Sequence, residues 1–141
     1  MIQLRKIDET NYRKILAMEL PQKQQDFVAS NAISLAQAWV FYEKARPFAI
    51  YQDDEPVGFI MFDFGKGARE VEIWRFMIAP QHQGKGYGRA ALQAAITWLK
   101  EQNRFDLIQI NYVEGNDAAK ALYRKVGFRE TGEMEGEEVV M

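Results

Sequence analysis

The chain has 141 residues, of which 48% are hydrophobic and 13% aromatic, so we expect one domain spanning residues 1–141 around a buried core. Cysteine is absent, which excludes disulfides, thiolate metal sites and a cysteine nucleophile. We find no apolar run long enough to cross a membrane and no charged-then-apolar leader, and therefore expect a cytoplasmic protein with no membrane partner and no bound metal.

The net charge is −2, but the charges are unevenly distributed along the chain. Residues 81–129 contain eight Lys or Arg against four Asp or Glu, whereas residues 130–141 contain five Glu and no basic residue. This asymmetry predicts an anionic ligand in one place and a cationic ligand in another, although a solvated mixture of charges would give the same counts. The basic excess is small and carries no interleaved aromatic stripe, which disfavours nucleic acid as a partner.

The first half of the chain predicts a strand, two helices and a hairpin. The segment IQLRKI alternates as a strand does, and DETNYRKILAME predicts a helix that is capped by Asp8. The segment SLAQAWVFYEKA predicts a second helix capped by Ser34. Two strand-like runs then flank the turn residues Asp53, Asp54, Glu55 and Pro56.

The second half predicts alternating strands and helices. REVEIWRFMIAP is typical of a strand, and YGRAALQAAITWLKEQ has one apolar face, formed by Leu92, Ala95, Ile96 and Leu99. FDLIQINYV predicts a strand, and NDAAKALYRKV predicts a helix between Asn116 and Gly127. One or two strands follow in the last fourteen residues. The predicted order is β-α-α-β-β-β-α-β-α-β, an α/β or α+β mixed sheet with helices on its faces.

Three glycines, Gly84, Gly86 and Gly88, alternate with other residues between a predicted strand and a predicted helix. The first turn of a helix has unbonded N–H groups at the positive end of its dipole, and glycines let a phosphate approach the main chain. Lys85 and Arg89 can add positive charge. The spacing matches neither a nucleotide-triphosphate loop nor a nicotinamide-binding fingerprint. We therefore expect a different phosphate-bearing ligand.

The loop instead fits the pattern [QR]-x-x-G-x-[GA], in which Gln83, Gly86 and Gly88 occupy the three specified positions. The segment FMIAPQHQGKGYGRAAL resembles the acyl-coenzyme A loop of the GNAT superfamily of N-acetyltransferases. NDAAKALYRKVGF resembles the second signature of that family, and the order of elements fits its fold along the whole chain. The resemblance implies a mostly antiparallel sheet splayed between its fourth and fifth strands.

The resemblance also implies acetyl-coenzyme A as co-substrate. The main chain of Phe76, Met77 and Ile78 should pair with the pantetheine arm, and the Ile78 N–H should point at the thioester carbonyl. The N–H groups of residues 84–89 should hold the pyrophosphate. The residues implied in coenzyme binding are Phe76, Met77, Ile78, Gln83, Gly84, Lys85, Gly86, Tyr87, Gly88, Arg89, Asn116, Ala119, Tyr123, Arg124 and Lys125.

The reaction implied is direct attack of a primary amine on the thioester in a ternary complex, because the chain has no cysteine to carry an acetyl group. Tyr123 is the candidate general acid, although a core tyrosine would show the same spacing. The pKa of a phenol is about 10 and that of a thiol is about 8.5. We therefore expect Tyr123 to donate a hydrogen bond to the developing thiolate, or to have a lowered pKa. Glu70 and Glu72 are candidate bases acting through water, or members of an exposed strand edge. His82 is disfavoured as the base because it lies in the phosphate loop.

The segment ELPQKQQDFVASNAISLAQA, with PVGFIMFDF, resembles bacterial spermidine/spermine acetyltransferases of the same family. Glu19, Asp26 and Glu43 are the candidate residues for binding such a small-molecule amine, with Glu70, Glu72 and the Glu-rich segment 130–138, although a solvated face of two amphipathic helices would show the same residues. The alternatives are a peptide, protein-lysine or aminoglycoside acceptor, or a non-catalytic acetyl-CoA sensor. Family members are often homodimers, and AWVFYEKA is a candidate contact or a core segment. A short last strand ending at Met141 predicts an acceptor wall that is thin or supplied by a second subunit.

Overall fold

The computed structural model describes residues 1–141. A single 3-10 turn, Pro80–His82, follows the fourth strand. The other elements, in chain order, are β1 (Ile2–Lys6), α1 (Tyr12–Leu16), α2 (Gln22–Gln25), α3 (Asn31–Val40), β2 (Ala45–Gln52), β3 (Glu55–Gly67), β4 (Glu70–Ile78), α4 (Tyr87–Glu101), β5 (Leu107–Val113), α5 (Asp117–Val126), β6 (Met134–Glu135) and β7 (Glu138–Val140). The short helix α2 has no counterpart in the predicted order.

The seven strands form one sheet in the order β1-β2-β3-β4-β5-β7-β6. Only β4 and β5 run parallel, and every other neighbouring pair is antiparallel. The hairpin between β2 and β3 turns at Asp53 and Asp54, as predicted, with Asp53 in the left-handed region at φ 55°. The predicted mixed sheet with helices on its faces is confirmed.

The parallel pair β4 and β5 is in contact along only part of its length. The two strands pair from Glu70 opposite Leu107 to Ile73 opposite Ile110, and no further. Beyond Ile73, β4 continues against β3, while residues 111–113 of β5 continue against β7 on their other side. The strands therefore diverge and leave a gap between them, which confirms the predicted splay.

The last strand is short but firmly paired. Residues 138–140 lie opposite residues 111–113 of β5. Met141 exchanges two main-chain hydrogen bonds with Ile110, at 3.0 and 2.9 Å, and is buried. The C-terminal segment of this same chain therefore forms a wall beside the gap.

Two predicted helix caps are wrong. The first helix begins at Tyr12 with Asn11 as its N-cap, and the Asp8 carboxylate accepts hydrogen bonds from the N–H and hydroxyl of Thr10 instead. The second begins at Asn31, three residues before the predicted cap Ser34, and Ser30 caps it by accepting from the Ile33 N–H at 3.2 Å.

The early start of α3 has a physical cause. Asn31, in the first turn of the helix, is buried and donates a hydrogen bond from its side chain to the Ile15 carbonyl at 2.8 Å. This bond between α3 and α1 fixes the first turn of α3 against the sheet, and Ser34 becomes a buried residue inside the helix.

The two faces of the sheet carry separate hydrophobic clusters. On one face α4 and α5 pack through residues such as Leu92, Leu99 and Tyr123. On the other face Ile15 of α1 and Ala38 of α3 pack against the sheet. Each large buried side chain contributes about 1.5–3 kcal/mol, so both helical layers are held against one rigid sheet. The longest helix has 15 residues, and none has the length and apolar character needed to span a membrane.

Candidate active site

The glycine loop leaves a row of main-chain N–H groups without a partner. Gly84 and Gly86 have φ values of 78° and 82°, and Gly86 is the N-cap of α4. The first main-chain hydrogen bond of this helix runs from the Ala90 N–H to the Gly86 carbonyl, so the N–H groups of residues 84–89 have no main-chain acceptor. A Cβ built at Gly84 or Gly86 would meet nothing within 4 Å. Open space over unbonded N–H groups at a helix start fits a diphosphate.

Gln83 fixes this loop to the end of β4. Its side-chain amide donates to the Ile78 carbonyl at 2.9 Å and to the Gln24 side chain of α2 at 3.3 Å. Gly88, in the first turn of α4, packs closely against α5, because a Cβ there would come 3.4 Å from Leu122. The loop is therefore held in place by protein contacts on both sides.

The glycine loop, α5, the end of β4 and the segment before α3 enclose a cleft of about 510 Å³, which we call the glycine-loop cleft. Every residue expected to bind the coenzyme lines it, except Lys85 and Arg124. The Arg124 guanidinium instead donates to the Glu130 carboxylate at 2.7 Å. His82 also lines the cleft, as its place in the phosphate loop predicted. The further lining residues, which the sequence did not indicate, are Leu20, Gln24, Phe27, Val28, Ala118 and Leu122.

The main chain of β4 turns some of its N–H groups towards the gap. The Ala79 N–H donates to the Val57 carbonyl of β3 at 2.8 Å, and Ile78 is opposite Gly58 in the next register position. Because hydrogen-bonded and non-hydrogen-bonded pairs alternate in an antiparallel ladder, the Ile78 N–H points away from β3. No strand covers that side, since β5 is paired with β4 only as far as Ile73.

A smaller cavity of about 140 Å³ occupies the gap itself, and we call it the gap cavity. It meets the glycine-loop cleft at Phe27, Val28, Phe76, Asn116 and Tyr123, which line both. Its remaining lining residues are Ala29, Ile73, Trp74, Arg75, Ile110, Asn111, Tyr112 and Glu138.

Asn116 and Tyr123 both belong to α5 and its cap. The Asn116 side chain accepts from the Ala119 N–H at 3.3 Å, as predicted for an N-cap, and Gly127 ends the helix at φ 115°. Tyr123 is buried, and its ring packs edge-on against Phe128.

The electrostatic environment of Tyr123 does not lower its pKa. Burial and the Glu138 carboxylate hold the pKa of the phenol well above its usual range, and no hydrogen bond within the protein contributes. The alternative of a lowered pKa is therefore wrong. A phenol of high pKa keeps its proton and can donate a hydrogen bond to a developing thiolate.

The two candidate bases on β4 do not line either cavity. Glu70 is exposed, whereas Glu72 is buried and its carboxylate lies 3.4 Å from the Lys66 ammonium. Burial raises the pKa of Glu72 to about 7, and Lys66 partly offsets this effect. The same Lys66 ammonium also contacts Glu135 at 3.5 Å. Either carboxylate would have to act on an amine through intervening water.

The predicted acceptor residues are not brought together. Glu19 lines a cavity of about 510 Å³ between α1 and α3, which we call the α1–α3 cavity. Asp26, directly after α2, and Glu43, in the turn between α3 and β2, are exposed and line none of the three cavities. His82 lines the glycine-loop cleft near Glu55, at 3.5 Å, and not the gap cavity.

Arg75 and Glu138 are the charged residues of the gap cavity. The sequence indicated Glu138 only as part of the Glu-rich segment 130–138, and it did not indicate Arg75. Arg75 interrupts an apolar strand, a signal that could have been used. Its guanidinium donates to the Gln37 side chain at 3.0 Å and to the Trp74 carbonyl at 3.1 Å. Its Nε is buried without a partner, and burial lowers the pKa of the group.

Comparisons with known proteins agree with this geometry. The model of the Acetyltransferase (GNAT) family matches residues 3–128. A spermine/spermidine N(1)-acetyltransferase of Bacillus subtilis (strain 168) is 28% identical over 148 residues, covering 99% of this chain and 97% of the relative. A spermidine N-acetyltransferase from Vibrio cholerae in complex with CoA and spermine has a TM-score of 0.68 at 22% identity, covering 99% of this chain and 91% of the other. The aminoglycoside acetyltransferase AAC(6')-Ib in complex with coenzyme A has a TM-score of 0.81 at 16% identity, covering 100% and 94%.

The two structural likenesses show a common fold. The family model extends over most of the sequence, from the first strand to the end of the second signature. The chain therefore belongs to the GNAT family of acetyltransferases and is an acetyl-CoA-dependent N-acetyltransferase.

Proposed function

We propose that this N-acetyltransferase acetylates a primary amino group of a polyamine such as spermidine or spermine. The observation that carries the proposal is the similarity to the Bacillus subtilis spermine/spermidine enzyme along 99% of this chain and 97% of that relative. This similarity includes the N-terminal helices, which line the α1–α3 cavity.

The shape of the acceptor region supports a long, cationic, aliphatic substrate. The gap cavity and the α1–α3 cavity meet at Val28 and Ala29, which line both. The α1–α3 cavity is mostly apolar and has Glu19 as its only acidic lining residue. A polyamine could place its reacting nitrogen in the gap cavity, its methylenes past Val28, and a distal ammonium near Glu19.

Residues of this chain have distinct roles in the proposed reaction. Acetyl-CoA supplies the activated acetyl group. The N–H groups of residues 84–89 hold its diphosphate, and Lys125 lies at the cleft edge. The Ile78 N–H is aimed at the thioester carbonyl, where an oriented donor is worth about 3–4 kcal/mol in the transition state. The Tyr123 hydroxyl donates a hydrogen bond to the leaving sulfur.

Thiol release from acetyl-CoA tests the acceptor class directly. We expect the highest kcat/KM with spermine or spermidine, lower values with a lysine peptide, and lower values again with kanamycin. Preference for the peptide or for kanamycin would overturn the polyamine assignment. Tight coenzyme binding without thiol release from any amine would instead favour the sensor.

The variant Glu19→Gln tests whether the polyamine extends from the gap cavity to Glu19. We expect it to raise KM for spermine about fivefold, since an ion pair near the surface is worth about 1 kcal/mol, and to leave KM for propylamine unchanged. Glu43→Gln is the matched control, because Glu43 is exposed and lines none of the cavities. An equal effect on both amines would contradict the placement of the distal ammonium.

A further inference from the structure

Glu138 is the only carboxylate that lines the gap cavity. It lies on β7, opposite Val113 of β5, so it reaches the cavity from the strand beyond β5. Its position is fixed by this strand pairing and by the Asn111 side chain, which donates to its carboxylate at 3.4 Å. Glu138 therefore lines the same cavity as Tyr123, the residue whose hydroxyl is proposed to serve the leaving sulfur.

The charged and titratable groups around Glu138 leave it available to a ligand. Arg75 on β4 and Tyr123 on α5 are close enough for the carboxylate to perturb them electrostatically, and Glu135 lies opposite Glu138 in the β6–β7 pair. Glu138 forms no ion pair with Arg75 or any other cation. Glu72, in contrast, is in contact with Lys66 and lines neither cavity.

We propose that Glu138 binds the attacking ammonium group of the acceptor and takes its proton before transfer. The assignment rests on the proposed amine acetyltransferase function, and it moves the base from β4 to the C-terminal strand. It holds for any primary amine that enters the gap cavity, whether or not that amine is part of a polyamine.

The proton balance of this step is simple. One N–H bond of the ammonium breaks, its electron pair stays on nitrogen, and an O–H bond forms on the Glu138 carboxylate. That proton later leaves to solvent, while the amine proton lost when the amide forms goes to the leaving sulfur. An alkylamine with a pKa of about 10 is about one part in a thousand neutral at pH 7, a cost of about 4 kcal/mol, so a base in direct contact lets the enzyme bind the abundant ammonium form and deprotonate it in place.

The small volume of the gap cavity, about 140 Å³, favours transfer of the proton from the ammonium group to Glu138. An ammonium and a carboxylate brought together out of water both lose solvation, whereas a neutral amine beside a neutral carboxyl group does not.

The variant Glu138→Gln tests the proposal when it is assayed with amines of different basicity. With propylamine or spermine at pH 7 we expect kcat/KM to fall at least about a hundredfold, as is typical for loss of a general base. Aminoacetonitrile is mostly neutral at that pH and needs no base to remove a proton. With this amine we expect kcat/KM to fall less than about threefold. The matched control is Glu137→Gln, because Glu137 is the exposed neighbour of Glu138 in the turn before β7.

Two further measurements separate this role from a structural one. Calorimetric titration should show unchanged coenzyme A affinity in Glu138→Gln and weakened binding of spermine. The pH profile of kcat/KM in the variant should rise tenfold per pH unit, following the neutral amine. Glu138→Asp keeps a carboxylate and should retain the wild-type form of the profile even if its rate is lower.

The outcomes distinguish the two proposals. If the wild type accepts propylamine or a lysine peptide but not spermine, the polyamine assignment fails, and the Glu138 test proceeds with the accepted amine. Equal losses with basic and weakly basic amines, or a loss no larger than that of Glu137→Gln, would overturn the role of Glu138.

Discussion

The glycine-loop cleft presents the unbonded N–H groups of one continuous segment, residues 84–89. The gap cavity is instead lined by residues from β4, β5, α5, β7 and the segment before α3. The first depends on φ angles and on the absence of side chains. The second depends on the sheet bringing distant residues together. Substitutions should therefore damage the cleft by adding atoms and the gap cavity by removing them.

The largest effect should come from filling the space above the glycine loop. Gly86→Val places a side chain where a diphosphate would lie, and the blocked hydrogen bonds to charged oxygens are worth about 2 kcal/mol each. Loss of two of them should raise the Kd of coenzyme A about a thousandfold in a calorimetric titration.

Gly132→Val is the control for this variant. Gly132 has a φ of 86° and open space around a built Cβ, so it shares the backbone strain but lies outside the cleft. An equal loss of affinity in both variants would show that strain, and not occupied space, is responsible.

Glu72 should affect stability more than acetyl transfer. Its folded-state pKa of about 7 lies above the ordinary value of 4.5, so its stabilising contribution is fully present below pH 4.5 and is lost as pH rises to about 7. Across this window the free energy of unfolding should fall by up to about 3 kcal/mol. Urea titrations at several pH values should show this fall in the wild type and not in Glu72→Gln.

Glu70→Gln is the matched control, because Glu70 is exposed on the same strand. It should keep the pH dependence of the wild type. If Glu72→Gln instead lost turnover with basic amines and recovered it with weakly basic ones, Glu72 would be the base and Glu138 would not.

Tyr123→Phe should reduce kcat about 10- to 100-fold, because a hydrogen bond to a charged sulfur is worth about 1.5–3 kcal/mol. Coenzyme affinity and melting temperature should stay unchanged, since no hydrogen bond within the protein is lost. Tyr42→Phe, which removes an exposed phenol, is the control. Full turnover in Tyr123→Phe would remove the role assigned to the hydroxyl.

The smallest predicted effect is on coenzyme A affinity, and it distinguishes two neighbouring basic residues. Lys125 lines the glycine-loop cleft, whereas Arg124 is paired with Glu130. Lys125→Ala should weaken coenzyme A binding about fivefold, an effect of about 1 kcal/mol that declines with added salt. Arg124→Ala should leave the affinity unchanged, and the opposite ranking would show that Arg124 changes partner when the coenzyme binds.

The same contrast explains what the sequence could predict. The strand, the alternating glycines and the helix of the loop are adjacent in sequence, so their pattern indicated the cleft and most of its lining residues. Asn116 and Gly127 likewise mark the ends of α5 by local rules. The helix caps Asp8 and Ser34 failed because tertiary contacts, such as the hydrogen bond from Asn31, decided where the helices begin.

The gap cavity could not be read from the sequence in the same way. Arg75 and Glu138 are far apart in the chain and meet only because β7 pairs with β5 at the point where β5 leaves β4. Neither pairing has a local sequence signal. Of the carboxylates chosen from the sequence, Asp26 and Glu43 were plausible by charge but line none of the cavities, whereas Glu19 lines the α1–α3 cavity.

The hydrogen bond from the Gln83 side chain to the Ile78 carbonyl has a kinetic consequence. A loop that is already held by this hydrogen bond loses little conformational freedom when acetyl-CoA binds. Capture should then be a single-step event at a rate set by diffusion and charge, without a slow rearrangement afterwards. Stopped-flow traces of wild-type protein should be monophasic, and cutting the tie with Gln83→Ala should introduce a second, concentration-independent phase.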